Sequence, residues 1–286
     1  MPTRSSTVFG ALSASPSARV LHGMELGFGC AGTIWSNRRD RVAYHQPEGH
    51  TLSLYLRGGQ GTRRLGRQGG HGHPGAVCLI PQGHSSEWEI TGGFTFVHLY
   101  LPDAELRRLF VESFDRDARL MVLPELTFGD APVLADVLGR LASAIVSGDA
   151  PAAEAALTDA VVASQRLDGA RPPPPMKGGL APHLCRRVGE HIDAQLDQPL
   201  RLRELATLAG MSAFHFQRSF CTSHGVSPQG WILRRRIDRA RALLRGDAPI
   251  AQVAAACGFS SQSHMTRMFR SATGGTPAAY RKAALS

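Results

Sequence analysis

The chain has 286 residues, 43% of them hydrophobic and 19% charged, with a formal net charge of +9. That length suits two domains, and the apolar content excludes global disorder. No apolar run approaches the roughly 20 residues needed to cross a bilayer, so no membrane partner is expected. Met1 to Val20 carries one early Arg and no continuous apolar core of signal-peptide type, which predicts a frayed cytoplasmic start. Five cysteines, Cys30, Cys78, Cys185, Cys221 and Cys257, lie far apart with no C-x-x-C pair. An odd, scattered set points to small reduced hydrophobes rather than a disulfide framework or a zinc site.

The charge is unevenly placed. Met1 to Lys177 holds 17 Lys/Arg against 17 Asp/Glu, whereas Gly178 to Ser286 holds 15 against 6. The whole excess therefore lies in the last 109 residues, a footprint that fits nucleic-acid binding.

In chain order, the first elements are β-like. "HTLSLYLRGG", "GAVCLIPQG", "SSEWEITGG" and "FTFVHLYLP" are short runs of β-formers, most of them closed by Gly or Pro. In the last of these, Phe94, Phe96, His98 and Tyr100 share one strand face, and Thr95, Val97, Leu99 and Leu101 share the other. Apolar residues on both faces predict a sandwich or barrel wall with something packed outside it. After Pro132 the period changes: Val133, Leu134, Val137, Leu138, Leu141 and Ile145 follow helical spacing. "PAAEAALTDAVVASQRL" predicts a second helix with Pro151 near its start. The pair would pack on a sheet or form a dimer seam.

"DGARPPPPMKGG" then divides the chain: four prolines favour polyproline II, and the paired glycines loosen it. Beyond it stand two near-copies of one pattern. Leu202, Leu205, Ala206, Ala209, Gly210 and Met211 match Ile250, Val253, Ala254, Cys257, Gly258 and Phe259 at an offset of 48. His215, Phe216, Arg218, Phe220, Gly225 and Pro228 match His264, Met265, Arg267, Phe269, Gly274 and Pro277 at 49, one residue having been added at Ser260-Ser261. Each copy has the chemistry of a helix-turn-helix. Gly210 and Gly258 stand where a first helix must stop in a left-handed residue, and Ser212 and Ser261 can cap a second helix. Phe216 and Phe220, or Met265 and Phe269, face the core. Phe214, Gln217 and Arg218 face out in one copy, as do Ser263, Thr266 and Arg267 in the other, with Gln262 near the turn. Such outward residues can read base edges in a major groove. Ser212, Ser261, Arg235 and Arg270 are candidate phosphate contacts. Between the copies, "SPQGWILRRRIDRARALLRG" predicts a connecting helix with a buried stripe of Trp231, Ile237, Ala240 and Leu244. Its arginines, Arg234, Arg235, Arg236, Arg239, Arg241 and Arg245, would meet phosphates or acidic neighbours. About seven helices are expected in this tail.

"PLRLRELATLAGMSAFHFQRSFCTSHGVSPQGWILRRRIDRARALL" followed by "IAQVAAACGFSSQSHMTRMFRSATGGTPAAYRK" resembles the AraC/XylS family of bacterial transcription regulators. The resemblance covers roughly the last hundred residues. It implies a DNA-binding regulator, located in the cytoplasm at the nucleoid, whose two recognition helices read promoter operator DNA through the outward residues named above. It also implies a homodimer, a contact with RNA polymerase if the protein activates, and a small-molecule effector, with no cofactor and no catalytic residue. The layout it implies is α+β and multidomain. Residues 1–170 would be a β-rich effector-binding and dimerisation domain, a cupin-like jelly-roll barrel with helices at about 132–167. Residues 171–179 would be the linker, and 180–286 the DNA-binding domain with motifs at about 202–224 and 250–273.

"HGHPGAVCLIPQG" resembles a cupin's H-x-H turn and following strand, and cupin enzymes hold a divalent metal with histidines and a carboxylate. His71, His73, Glu87 and His98 would be that set, although Ser86 stands where the later His belongs. An apolar effector pocket lined by Trp35, Tyr55, Trp88 and His98 is the alternative. Two other readings remain open: a metal-dependent cupin enzyme fused to a DNA tether, and an architectural DNA-binding protein whose first domain only dimerises.

Overall fold

The protein is described by a computed structural model covering residues 7–66, 70–167 and 178–285. The proline run of the linker lies outside the described residues, as do the first six. The chain forms two compact units, Met1–Leu106 with Val122–Pro172, and Arg107–Met121 with Pro173–Ser286.

The first unit opens on helix α1, Val8–Ser13, so the expected frayed start is corrected from Thr7 onward. Thr7 caps it by accepting from the Gly10 N–H at 3.0 Å, and Val8 and Leu12, four apart, both bury against the core. Eight strands follow: β1 (Arg19–Gly27), β2 (Cys30–Asn37), β3 (Asp40–Tyr44), β4 (His50–Gly58), β5 (Thr62–Arg64), β6 (Val77–Ile80), β7 (Ser86–Ile90) and β8 (Phe94–Leu101). After helix α2 (Asp103–Phe114) and a 3-10 turn (Ala118–Leu120) comes β9 (Leu126–Gly129), then helices α3 (Pro132–Ser147) and α4 (Ala150–Ser164).

The strands make a six-stranded sheet in the order β1-β2-β8-β4-β6-β9 and a three-stranded sheet in the order β3-β7-β5. Both are antiparallel throughout. Neither closes, which corrects the jelly-roll barrel expected from the sequence. The apolar residues on both faces of β8 explain why closure is not needed. Phe94 stacks on Phe96 with centroids 4.6 Å apart, and Phe96 meets His98 edge-on at 4.7 Å. The two phenylalanines share a core cluster with Val42, Tyr44, Trp88 and Ile90 of the smaller sheet. The opposite face, with Val97, Leu99 and Leu101 essentially inaccessible, is covered by α3. There a Cβ on Gly32, the partner of Leu99, would lie only 2.6 Å from Ile145. Two open sheets and a covering helix bury what a barrel would have buried by itself.

The helical spacing after Pro132 is realised in α3, where Leu134, Val137, Leu138, Leu141 and Ile145 are buried; Val133 is the exception and faces out. Gly148 ends α3 in the left-handed conformation, φ +73°, and Asp149 caps α4 by accepting from the Ala152 N–H at 3.0 Å. The buried face of α4 is mostly alanine, which lets it lie close against α3.

The second unit is built on seven helices: α5 (Pro182–Ala194), α6 (Leu202–Leu208), α7 (Ala213–His224), α8 (Pro228–Leu244), α9 (Ile250–Ala256), α10 (Gln262–Thr273) and α11 (Pro277–Leu285). Residues Arg107–Met121 belong to this unit too. Asp117 and Arg119 form a bidentate pair at 2.6 and 2.8 Å, and Arg119 also donates to the Gly178 carbonyl. The 3-10 turn packs on α7. No helix among the described residues is long and apolar enough to cross a membrane. All five cysteines are free thiols.

Candidate nucleic-acid interface

The two repeats fold by one local logic. In the first, α6 buries Leu205 and Ala206, and the chain leaves it through Gly210 at φ +67°. In the second, α9 buries Val253 and Ala254 and leaves through Gly258 at φ +74°. Each exit is closed by a backbone bond across six residues. The Met211 N–H donates to the Ala206 carbonyl at 2.9 Å, and the Phe259 N–H to that of Ala254 at 3.0 Å. Ser212 and Ser261 then stand in extended backbone and accept from the N–H of His215 and His264, at 3.3 and 3.0 Å. The residue added in the second copy, Ser260, has its own role: its hydroxyl bonds the His264 ring at 3.0 Å. The insertion therefore leaves the cap on Ser261.

These caps start α7 and α10, whose inner faces carry Phe216 and Phe220, and Met265 and Phe269, all fully buried. Their outer faces are solvent-exposed. On α7 these are Gln217, Arg218 and Phe214, the last 79% exposed and far above any other large hydrophobic side chain on this helix. On α10, Gln262, Ser263, Arg267 and Arg270 are exposed and Thr266 is half-buried. Those five, with Ser271 and Thr276, line one open cleft of about 710 Å³. Neither Ser271 nor Thr276 was among the expected contacts. Ser271 lies four residues past Arg267, on the same helix face, and that spacing was the available signal.

The connecting helix α8 buries Trp231, Ile237, Ala240 and Leu244 as its stripe predicts. Its arginines are largely engaged within the unit. Arg235 grips Asp193 of α5 with two bonds of 2.8 and 2.6 Å, and Glu112 lies 3.7 Å away. Arg236 donates to the Leu196 and Gln198 carbonyls. Arg241 lies 3.7 Å from Asp238. Arg235 is thus held by a carboxylate, whereas Arg218, Arg267 and Arg270 make no ion pair among the described residues. Burial raises the Glu112 carboxyl above its ordinary range despite Arg108 beside it. At the C-terminal end of α7, His224 stacks on Phe220 at 3.9 Å, and burial lowers its pKa to about 4.

In the first unit, the four aromatic candidates are core residues. Trp35 is buried and donates to the Tyr100 hydroxyl at 2.9 Å. Tyr55, Trp88 and His98 border a cavity of about 30 Å³, the size of one or two waters. Burial lowers the His98 pKa to about 3, so its ring is neutral. The structure does not gather His71, His73, Glu87 and His98: His98 is buried, Glu87 pairs with Arg41 at the surface, and the Nδ1 of His73 meets the backbone of His71. Among the described residues no three His, Cys, Asp or Glu side chains come together as a metal site.

A family profile described as a helix-turn-helix domain matches residues 205–283. With the duplicated, capped and outward-facing helices, this decides the second unit. The C-terminal unit is an AraC/XylS-type tandem helix-turn-helix DNA-binding domain. The chain is 33% identical over 94 residues to the probable transcriptional regulator LumQ of Photobacterium leiognathi, covering 32% of this chain and 38% of that one. It is 30% identical over 177 residues to the transcriptional activator NphR of a Rhodococcus species, covering 61% of this chain and 44% of that one. A solved AraC-type regulator from Chromobacterium violaceum aligns at 29% identity with a TM-score of 0.34, over 36% of this chain and 92% of that one. The match thus spans less than half the length of these two curated relatives, 38% and 44%.

Proposed function

We propose that this protein is a sequence-specific, DNA-binding transcription regulator whose helices α7 and α10 read two successive major-groove segments of an operator. The observation that carries the reading is the duplication itself. Two turns with the same glycine conformation, the same serine cap and the same buried inner face each present a polar, arginine-bearing outer face. Phe214, Gln217 and Arg218 on α7, and Gln262, Ser263, Thr266 and Arg267 on α10, are the base-reading candidates, the exposed Phe214 ring being the one suited to a thymine methyl. Arg270, Ser212 and Ser261 are the phosphate contacts of this proposal. The excess of basic residues in the tail supplies the nonspecific part of the affinity.

The 177-residue match to a transcriptional activator is longer than the 109-residue tail, so it extends into the chain before the linker. That extent, with the regulators' names, supports a transcription regulator; in this proposal it acts in the bacterial cytoplasm on promoter DNA and RNA polymerase. The first unit would sense a small-molecule effector and pair two copies; β1 is an open sheet edge with Val20 and Leu21 exposed. The test is selection of binding sites from random DNA with the full chain. An enriched motif in two blocks supports the reading, and recovery of no motif overturns it.

A further inference from the structure

At one end of the larger sheet lies a cleft of about 590 Å³, lined by Arg19, Arg38 and Arg57 together with Ser36, Asn37 and Thr95, among others, with no acidic residue in the lining. Strand pairing explains how the side chains come together. Arg19 pairs with Ser36, Ser36 with Thr95, and Thr95 with Arg57, so the four form one row across β1, β2, β8 and β4. Cross-strand partners point to the same side of a sheet. The row therefore reads Arg-Ser-Thr-Arg, two guanidinium groups flanking two hydroxyls. Three strand spacings set the outer Cα atoms about 14 Å apart, a span that two arginine side chains leaning inward can close on a small ion. Register shifts in β1 and β4 lie beside the row, after Val20 and before Arg57.

The charges are uncompensated. Arg19 donates only to the Ala18 carbonyl, and neither Arg38 nor Arg57 makes a side-chain hydrogen bond or ion pair among the described residues. The neighbouring carboxylate, Asp40, is occupied by Ser15 and Asn37. Four arginines elsewhere in this unit are paired: Arg41 with Glu87, Arg63 with Glu89, Arg64 with Glu125, Arg140 with Asp159. Met1 to Lys177 carries no net charge, so three free guanidinium groups in one concavity are a local exception to a balanced surface.

We infer that this cleft binds a small organic dianion, a phosphate monoester or a dicarboxylate. Planar guanidinium forks match both groups with paired N–H···O bonds, and the Ser36 and Thr95 hydroxyls add donors between them. The volume suits a metabolite, and a gathered concave cluster suits a compact ion better than a long, straight polyanion. The inference deepens the effector part of the proposed function and rests on it only for the site's role, since binding itself is measured without DNA.

The experiment is isothermal titration calorimetry of the full chain with inorganic phosphate and, separately, succinate, at constant ionic strength. Saturable binding of at least one is expected, and the tighter of the two distinguishes a phosphoryl from a carboxylate ligand. The Arg19→Gln/Arg57→Gln variant is expected to weaken it by about tenfold or more, because each exposed fork contributes charge-assisted bonds. Arg38→Gln serves as a second, independent variant with the same direction of effect. Arg218→Ala/Arg267→Ala, on the recognition helices, is expected to leave anion binding unchanged. No saturable heat with either anion overturns the site. So does anion binding that survives the sheet variants or is lost with the recognition-helix variant. Fluorescence anisotropy on DNA with the same proteins keeps the two questions apart. The sheet variants should bind DNA like the parent, so a failure of operator binding leaves the anion result standing.

Discussion

Arg235 of α8 and Asp193 of α5 face each other through two parallel N–H···O bonds, 2.8 and 2.6 Å long. A guanidinium held in this way is a brace inside the DNA-binding unit before it is anything else. Arg235→Ala is expected to lower stability by about 1 kcal/mol or less, since both partners are partly exposed. It should leave the salt dependence of DNA binding unchanged. Arg270→Ala, whose side chain has no such partner, should leave stability alone and reduce the slope of log K against log salt by about one. Urea denaturation and anisotropy titrations across salt concentrations check the pair. Equal slopes for the two variants would mean that Arg235 leaves Asp193 when DNA arrives.

Base reading has a different signature. Arg267→Ala should abolish discrimination at one operator position at a cost of about 1–3 kcal/mol while weakening random DNA far less. Competition assays with single-base operator variants measure it. An equal loss on specific and random DNA would reassign Arg267 to the phosphates.

The two turn glycines stand in the same backbone conformation but in different surroundings. A Cβ on Gly210 would meet nothing within 4 Å, so Gly210→Ala should cost only the left-handed strain, about 1–2 kcal/mol. A Cβ on Gly258 would come within 2.1 Å of the Leu196 carbonyl oxygen and 2.7 Å of the Arg236 guanidinium. Gly258→Ala should therefore be clearly the more damaging of the two. Comparing their denaturation midpoints with m unchanged is the check.

Protonation should loosen the first recognition helix. Burial sets the His224 pKa at about 4, while Asp117 and the Phe220 backbone pull it the other way. Its ordinary value is near 6.5, so between those pH values the unfolded chain holds more protons than the folded one. The stability contributed by the neutral ring is complete above about pH 6.5 and falls by roughly 2–3 kcal/mol as the pH drops toward 4. Melting curves over that range should shift downward in the parent and less in His224→Phe, which keeps the stack on Phe220. Identical shifts would assign the effect to other groups, such as His98 in the first unit.

Much of the second unit is legible in its sequence. Gly210, Gly258, Ser212, Ser261 and the buried Phe216, Phe220, Met265 and Phe269 follow from local chemistry, and local chemistry is what a sequence displays. The four β-forming runs and the helical pair were legible for the same reason. Closure of a sheet was not, because it depends on whether β1 and β9 find each other, and no single strand carries that information. Apolar residues on both faces of β8 fit either outcome. The row Arg19, Ser36, Thr95, Arg57 was hidden as well, since its members come from four strands and meet only through register. Likewise, nothing in the sequence around Asp193 announces that its partner is Arg235, 42 residues on.

Residues Arg107–Met121 fold with the second unit although they are encoded between two strands of the first. Anyone cutting the gene at the proline run to obtain a minimal DNA reader would discard them. Lost with them are the carboxylate of Glu112 near Arg235, the Asp117–Arg119 pair and the turn that rests on α7. The shortened tail would bare the surface of α7 and α8 that these residues meet. Grafts that exchange tails between related chains at that point would also inherit a buttress shaped for a different protein.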